Sequence, residues 1–183
     1  MPAAEASSRR TVYLAGFDVF RADARQHGEA LKALCAQYGL KGLFPLDNEL
    51  GADLASLPRR EQAQRIFRAN LAAIRDADLL LANLGDFRGP GEADSGTAFE
   101  VGFAVALGKP VYAYSAEAGP LAERATAHVD SLGRRRCARG YLVEDFDLSK
   151  NLMLACSVEL IAGDVAECLA RIAQRHASRT DTV

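Results

Sequence analysis

Residues 78–84 read Asp-Leu-Leu-Leu-Ala-Asn-Leu, and this near-continuous apolar run constrains the fold more than any other part of the sequence. A strand that has one face in water alternates apolar and polar residues, whereas a strand of a parallel sheet is buried on both faces and is apolar at nearly every position. The run therefore predicts a buried strand in a parallel sheet.

Other β-prone runs alternate with helical patterns along the chain. Strands are predicted at residues 11–17, 42–45 and 110–115, and helices at about 22–38 and 58–76 and at the segment that carries Glu100. The order β-α-β-α-β-α-β predicts a single α/β domain of the doubly wound, Rossmann-like or flavodoxin-like type. Such a domain has a mostly parallel sheet with helices on both faces.

The ends of the chain follow this pattern less closely. We predict that residues 11–177 form the domain and that residues 1–10 and 178–183 are flexible. Residues 140–147 are expected to add a last short strand, and residues 151–176 to be helical with one break at a glycine.

The composition argues against several classes of protein. A formal net charge of −2 gives no reason to expect nucleic acid as a partner, and no run reaches the roughly 18 apolar residues of a membrane span. The four cysteines and three histidines lack metal-ligand spacing, so neither a metal site nor a disulfide framework is predicted. No secretory signal is recognised, so we expect a cytoplasmic protein with small-molecule substrates.

Glu100 is the only charged residue in the otherwise apolar stretch of residues 98–107. Burying an ionised carboxylate without compensation is costly, so this group must be paired, protonated or used. The preceding Asp-Ser-Gly-Thr resembles a helix start, which predicts that Glu100 lies in the first turn, where the helix dipole favours negative charge. A carboxylate nucleophile and a capping box between Thr97 and Glu100 are both open interpretations.

Three loops are expected to meet, because ligand sites of doubly wound sheets lie at the carboxyl ends of the strands. They are residues 16–20, 45–49 and 85–94. The third loop gathers glycines, Arg88 and Asp94, a composition more typical of a site than of a spacer. The chain has no GxGxxG, GxxxxGKS/T or GxSxG motif, so no dinucleotide fingerprint, phosphate loop or serine-hydrolase elbow is indicated.

Several short motifs together resemble the nucleoside 2-deoxyribosyltransferase family. They are Tyr-Leu-Ala-Gly at 13–16, Asp-Val-Phe at 18–20, Phe-Pro-Leu-Asp-Asn at 44–48, Asp-Ala-Asp-Leu at 76–79, Ala-Asn-Leu at 82–84, Phe-Arg-Gly-Pro at 87–90, Asp-Ser-Gly-Thr-Ala-Phe-Glu-Val-Gly at 94–102, Gly-Lys-Pro-Val at 108–111 and Asn-Leu-Met at 151–153. The resemblance implies an enzyme that exchanges the base of a 2′-deoxynucleoside for a free nucleobase, without a cofactor or a metal.

The resemblance also implies roles for individual residues. Glu100 is expected to be the nucleophile that attacks the anomeric carbon, Asp94 to contact or protonate the departing base, and Tyr13 to orient the Glu100 carboxylate. The residues expected to bind substrate are Gly16, Phe17, Asp47, Glu49, Asn70, Arg88, Gly96, Asn151 and Met153. The last two are expected to reach a neighbouring subunit's site near the sugar, which implies a homo-oligomer, at least a dimer, with shared sites.

The chemistry of the residues agrees with this resemblance. Cleaving an N-glycosidic bond requires a carboxylate that meets oxocarbenium charge and an acid that eases departure of the base, and Glu100 and Asp94 supply that pair. Two successive displacements retain configuration. Some family members carry an amide at the position of Glu49 and an acid at that of Asn70, so the preference for purines or pyrimidines stays open.

Two alternative functions stay open as well. A 2′-deoxynucleoside 5′-monophosphate N-hydrolase on the same fold needs a phosphate cradle, for which residues 17–20 are poorly suited, although Arg88 could grip a phosphate. A non-catalytic nucleotide-sensing module is the second alternative, because a fold alone does not secure a function. Such a module would have no need for a lone carboxylate in apolar surroundings.

Overall fold

The computed structural model describes residues 9–180. Its strands are β1 (Thr11–Gly16), β2 (Lys41–Leu43), β3 (Leu79–Asn83), β4 (Val111–Ser115), β5 (His128–Val129), β6 (Arg135–Arg136) and β7 (Glu159–Ala162). Its helices are α1 (Ala24–Gln37), α2 (Arg59–Asp76), α3 (Ser95–Ala106), α4 (Leu121–Ala125), α5 (Leu152–Ala155) and α6 (Val165–Thr180). Of the ends expected to be flexible, residues 1–8 and 181–183 lie outside the described residues.

A five-stranded sheet with the order β2-β1-β3-β4-β7 forms the centre of the domain, and every neighbouring pair in it is parallel. The predicted doubly wound α/β fold is therefore confirmed. The apolar run in the sequence becomes β3, the middle strand. Its side chains alternate between two cores: Leu79 and Leu81 pack on the α1 and α6 side, whereas Leu80 and Ala82 pack on the α2 and α3 side.

The chain beyond β4 corrects two expectations. Residues 151–176 are not one interrupted helix, because they contain β7, which pairs with β4 and completes the sheet. This strand, Glu-Leu-Ile-Ala, is too short to show a period of its own, and its pairing with β4 decides its conformation. Residues 140–147 form no strand in the described chain; they contribute a single bridge from Leu142 to Arg136, beside the antiparallel β5–β6 pair.

The parallel arrangement places the ends of β1, β2 and β3 at the same edge of the sheet, and the loop after β3 leads directly into α3. Among the described residues, no helix is long and apolar enough to cross a membrane. In that same part of the chain, no group of three or more His, Cys, Asp or Glu side chains is arranged to hold a metal ion.

Candidate active site

Glu100 on α3 and Tyr13 on β1 form the centre of the candidate site. The Tyr13 hydroxyl donates a hydrogen bond to Glu100, with 2.7 Å between Tyr13 Oη and Glu100 Oε1. Tyr13 is fully buried in a central strand, so its hydroxyl is held in a fixed position. Burial and the neighbouring Glu100 charge raise the pKa of Tyr13, which keeps the phenol protonated and able to donate.

The hydrogen bonds of the Glu100 carboxylate offset only part of the effect of burial on its pKa. Burial raises the pKa of Glu100 to about 7, against hydrogen bonds from Tyr13 and Asn70 that lower it, and the negative charge of Asp94 raises it further. Both hydrogen bonds go to the same oxygen, Oε1. In the described part of the chain no hydrogen bond reaches Oε2, so this oxygen remains free to approach a substrate.

Asn70 on α2 is oriented by a second amide. Asn70 Nδ2 lies 3.5 Å from Glu100 Oε1, and Asn70 Oδ1 accepts a hydrogen bond of 2.8 Å from Asn48 Nδ2. Because an amide offers a donor at one end and an acceptor at the other, the contact with Asn48 directs the Asn70 donor toward Glu100. The sequence reasoning assigned Asn48 no role, although it ends the Phe-Pro-Leu-Asp-Asn motif.

The start of α3 rules out the capping box that was one of two interpretations of Thr97 and Glu100. Asp94 is the N-cap, and its Oδ2 accepts hydrogen bonds from the backbone N–H of Thr97 at 2.8 Å and from the Thr97 hydroxyl at 2.9 Å. The helix therefore begins at Ser95, which places Glu100 in the second turn rather than the first. The Thr97–Glu100 box does not form, because Asp94 caps the helix and Glu100 bonds to Tyr13 instead.

The loops after β1 and β3 meet through aromatic rings. The rings of Phe17 and Phe20 both stack on Phe87, at centroid distances of 5.2 and 5.4 Å. The Arg88 guanidinium lies 4.5 Å from the Phe87 ring centroid, and Arg88 has a φ of 62°. These side chains form an aromatic and cationic platform, and the ring of Phe20 is largely exposed to solvent.

Asp18, between Phe17 and Phe20 in sequence, is a buried carboxylate that the sequence analysis counted only against a phosphate site. Asp18 accepts a hydrogen bond from Asn83 Nδ2 at 2.9 Å and lies 3.1 Å from His27 Nε2. Asn83 Oδ1 in turn accepts from the backbone N–H of Gly85, so Asp18 links the ends of β1 and β3. A Cβ at Gly16 would lie 2.9 Å from both Asn83 Cβ and Asp18 Oδ2, which explains the glycine there.

Within the described residues, three other residues expected to bind substrate form no hydrogen bond with Glu100. Asp47 forms an ion pair of 2.9 Å with Lys32 and accepts a hydrogen bond from the backbone of Phe44. Glu49 is exposed in the loop that follows. Gly96 lies in the first turn of α3, where an added Cβ would be 3.1 Å from Asp94 Oδ2, so its small size leaves room for the Asp94 carboxylate.

Asn151 and Met153 lie on the opposite side of α3 from Tyr13. They border a groove of about 600 Å³ between α3 and α5, and Met153 is 72% exposed. The Asn151 side chain caps α5 through the backbone N–H of Met153 and also donates to Glu144. Within the described residues, no hydrogen bond joins Asn151 to Glu100.

Comparison with known proteins agrees with the fold and shows the family. The family model described as nucleoside 2-deoxyribosyltransferase matches residues 12–153, and the chain belongs to this family. The structure of a 2-desoxiribosyltransferase from Leishmania mexicana is 30% identical, with a TM-score of 0.71, and the match covers 91% of this chain and 99% of that chain.

Two further relatives are more distant. An uncharacterised protein of Schizosaccharomyces pombe is 28% identical over 180 residues, which cover 91% of this chain and 85% of the relative. A 2-deoxyribosyltransferase from Bacillus psychrosaccharolyticus is 24% identical with a TM-score of 0.49, covering 66% of this chain and 86% of that chain.

Proposed function

We propose that this protein transfers the 2-deoxyribosyl group between nucleobases through a covalent glycosyl–Glu100 intermediate. The observation that carries the proposal is the partly buried Glu100 carboxylate, which two neutral donors hold by one oxygen while the other stays free. Its substrates are then a 2′-deoxynucleoside and a free nucleobase. The chemistry needs neither a metal nor a cofactor, because both displacements use side-chain acids and bases.

In the first displacement, Glu100 Oε2 attacks the anomeric carbon of the bound 2′-deoxynucleoside. A bond forms between this oxygen and C1′ while the bond from C1′ to the base nitrogen breaks. The electron pair of the broken bond goes to the base, which takes a proton from Asp94. Asp94 uses Oδ2 to cap α3, so Oδ1 is the oxygen that would carry this proton.

In the second displacement, the incoming nucleobase attacks C1′ from the face that the first base left. Its nitrogen forms the new bond, Glu100 leaves as the carboxylate, and Asp94 takes up the proton of the incoming base. Configuration is retained because C1′ is inverted twice. A pKa of Glu100 of about 7 suits both steps, since the group must act as a nucleophile and then as a leaving group.

The first test is direct assay of the reaction. The protein is incubated with deoxyinosine plus adenine, and separately with deoxynucleoside 5′-monophosphates in water. Formation of deoxyadenosine and hypoxanthine, absent in Glu100→Ala, supports the proposal. Release of deoxyribose 5-phosphate without base exchange supports the N-hydrolase alternative, and no reaction of either kind supports a sensing module.

One observation favours the transferase over the N-hydrolase. The loop after β1 carries the buried Asp18 carboxylate next to Phe17 in sequence, where a phosphate cradle would need cationic or backbone donors. The negative charge in this loop would repel a phosphate, whereas it would not repel a neutral nucleoside.

We also propose that the active form is a homo-oligomer in which Asn151 and Met153 complete a neighbour's site. In support, Met153 is highly exposed for an apolar side chain and borders the groove beside α3. Phe67 and Phe99 add exposed aromatic surface on α2 and α3, with ring centroids 5.9 Å apart. Exposed apolar side chains that cluster in this way are typical of subunit interfaces.

Mixing two inactive variants tests the shared site. Glu100→Ala and Asn151→Ala subunits are combined under conditions in which subunit exchange is verified by mass spectrometry. Shared sites regenerate some wild-type sites in mixed oligomers, so exchange activity returns in part. A monomer by sedimentation at micromolar concentration, or no recovery after verified exchange, would contradict this arrangement.

A further inference from the structure

A second set of charged side chains meets at Asp86, in the loop that leads to Asp94. Lys150 is 1% exposed, and its Nζ lies 2.6 Å from Asp86 Oδ1 and 3.6 Å from Glu117 Oε2. A fully buried ammonium is costly unless it is paired and hydrogen-bonded, and Lys150 meets both conditions. The proposed chemistry uses none of these three residues.

The partners of Lys150 come from two other segments of the chain. Asp86 belongs to the loop after β3, and Glu117 follows β4, where its Oε2 also accepts a hydrogen bond of 2.6 Å from Ser115. Arg124 on α4 lies 3.8 Å from Asp86 and donates to the backbone oxygen of Ser149, one residue before Lys150. Lys150 thus ties the segment before α5 to the ends of two central strands.

Asp86 also holds the rest of its loop. Its second oxygen, Oδ2, accepts a hydrogen bond of 2.8 Å from the backbone N–H of Gly91. The loop is closed by a hydrogen bond of 2.6 Å from Phe87 N to Glu92 O. Gly91 has a φ of 77°, and an added Cβ would lie 2.2 Å from Leu121 Cδ1, so the loop also packs tightly on α4.

We infer that Lys150 is a positioning residue, which through Asp86 holds residues 86–92 so that Phe87, Arg88 and Asp94 are placed for reaction beside Glu100. The inference rests on the proposed function for its effect on activity. It follows from connectivity: Asp94 comes two residues after the closed loop, and Phe87 and Arg88 lie within the loop. Misplacing reacting groups by about 1 Å can cost about a hundredfold in rate.

The test compares Lys150→Met with Lys109→Met as a matched control. Lys109 also donates to two oxygens, those of Arg75 and Ala77, but it does so at the end of α2, away from the loop. For each variant we measure kcat and KM for base exchange, and hydrogen exchange of the peptide that covers residues 86–92. Amide exchange reports local opening without reference to activity.

We expect kcat of Lys150→Met to fall by about tenfold to a hundredfold, with a much smaller change in KM. Amides of residues 86–92 should exchange about tenfold faster or more, while those of β1 and β3 stay protected. Lys109→Met should change neither kcat nor exchange in this loop. If Lys150→Met does not fold, Asp86→Asn is used, because it weakens the same contact and leaves Lys150 paired with Glu117.

Unchanged exchange of residues 86–92 in a folded Lys150→Met protein would overturn the inference, and so would a loosened loop with unchanged kcat. The inference would also be overturned if amide exchange in Lys150→Met became faster throughout the protein rather than in residues 86–92, or if Lys109→Met loosened this loop to the same extent. If the wild-type protein shows no base exchange, the proposed function fails separately, and the hydrogen-exchange result alone decides whether Lys150 anchors the loop.

Discussion

Glu100 and the pair Asp86 and Glu117 are carboxylates that are held in different ways. The donors at Glu100 are neutral, namely the Tyr13 hydroxyl and the Asn70 amide, and burial raises the pKa of Glu100 to about 7. Asp86 and Glu117 instead meet the buried ammonium of Lys150. Burial opposes ionisation of Glu117, but hydrogen bonds and the Lys150 charge hold its pKa below the usual value.

We propose that this difference separates a reactive carboxylate, Glu100, from structural ones. A carboxylate beside a buried cation stays ionised and directs its oxygens to fixed partners. A carboxylate held by neutral donors can gain or lose its proton near neutral pH and can keep one oxygen free. The charge pattern around each group therefore indicates its role. The experiments below test this contrast, from the largest expected effect to the smallest.

Glu100→Ala removes the carboxylate that has no countercharge. Base exchange between deoxyinosine and adenine should fall by about a thousandfold or more, because deleting a covalent nucleophile removes the reaction path itself. The variant should still fold, as urea unfolding would show, since no buried cation loses its partner. Turnover above about a tenth of the wild-type value would contradict the assignment, since that loss is only about 1.4 kcal/mol.

Asp94→Asn keeps the helix cap and removes the acid. Asparagine caps helices about as well as aspartate, so folding should be preserved. Cleavage of the glycosidic bond should slow by about a hundredfold to ten-thousandfold, the range for a lost general acid. Single-turnover rates and nucleoside binding are measured across pH 5 to 8, and unchanged rates would leave Asp94 as a helix cap only.

Tyr13→Phe removes one of the neutral donors. The hydrogen bond from Tyr13 lowers the pKa of Glu100, so its loss should raise that pKa further above 7. The ionised nucleophile then forms only at higher pH, and the acidic limb of the kcat/KM profile should move upward in pH. Activity at pH 7 should fall by about tenfold, the value of a hydrogen bond to a charged group. If the acidic limb does not shift, the Tyr13 hydrogen bond does not control the ionisation of Glu100.

Glu100→Gln is expected to alter the pH dependence of stability. The pKa of Glu100 is about 7 in the folded protein and 4.5 as its ordinary value, so the unfolded chain releases this proton at lower pH. Wild-type stability from this group is therefore lost as pH rises from about 4.5 to 7. The free energy of unfolding of Glu100→Gln, relative to wild type, should rise over that window. A constant difference would mean that burial does not disfavour the charge.

Parts of the fold and the site were predictable for identifiable reasons. The side chains of the continuous apolar run that becomes β3 can be buried on both faces only between two helical layers, so the run predicted a central parallel strand. The lone Glu100 in an apolar stretch was visible because charge among apolar residues is costly wherever the segment folds. The strand β7 was missed because four residues of mixed polarity have no recognisable period.

Local patterns also failed where a side chain bonds to a partner that is distant in sequence. The Thr-x-x-Glu spacing fits a capping box, but Asp94 occupies the N-cap and Glu100 bonds to Tyr13, which is 87 residues away along the chain. The same applies to Asn48, whose contact with Asn70 crosses from the loop after β2 to α2. Such choices depend on distances across the fold, which sequence spacing does not contain.

The sequence by itself determined the layered α/β architecture, the family and the identity of the unusual carboxylate, because periodicity, short motifs and misplaced charge are local properties. Only the tertiary structure decided which oxygen of Glu100 stays free and which side chains hold the other one. It also decided that Lys150, an ordinary surface residue by type, is buried between Asp86 and Glu117. Burial and charge pairing arise from segments that meet only in the folded chain, and these two quantities set the charge and orientation of a side chain.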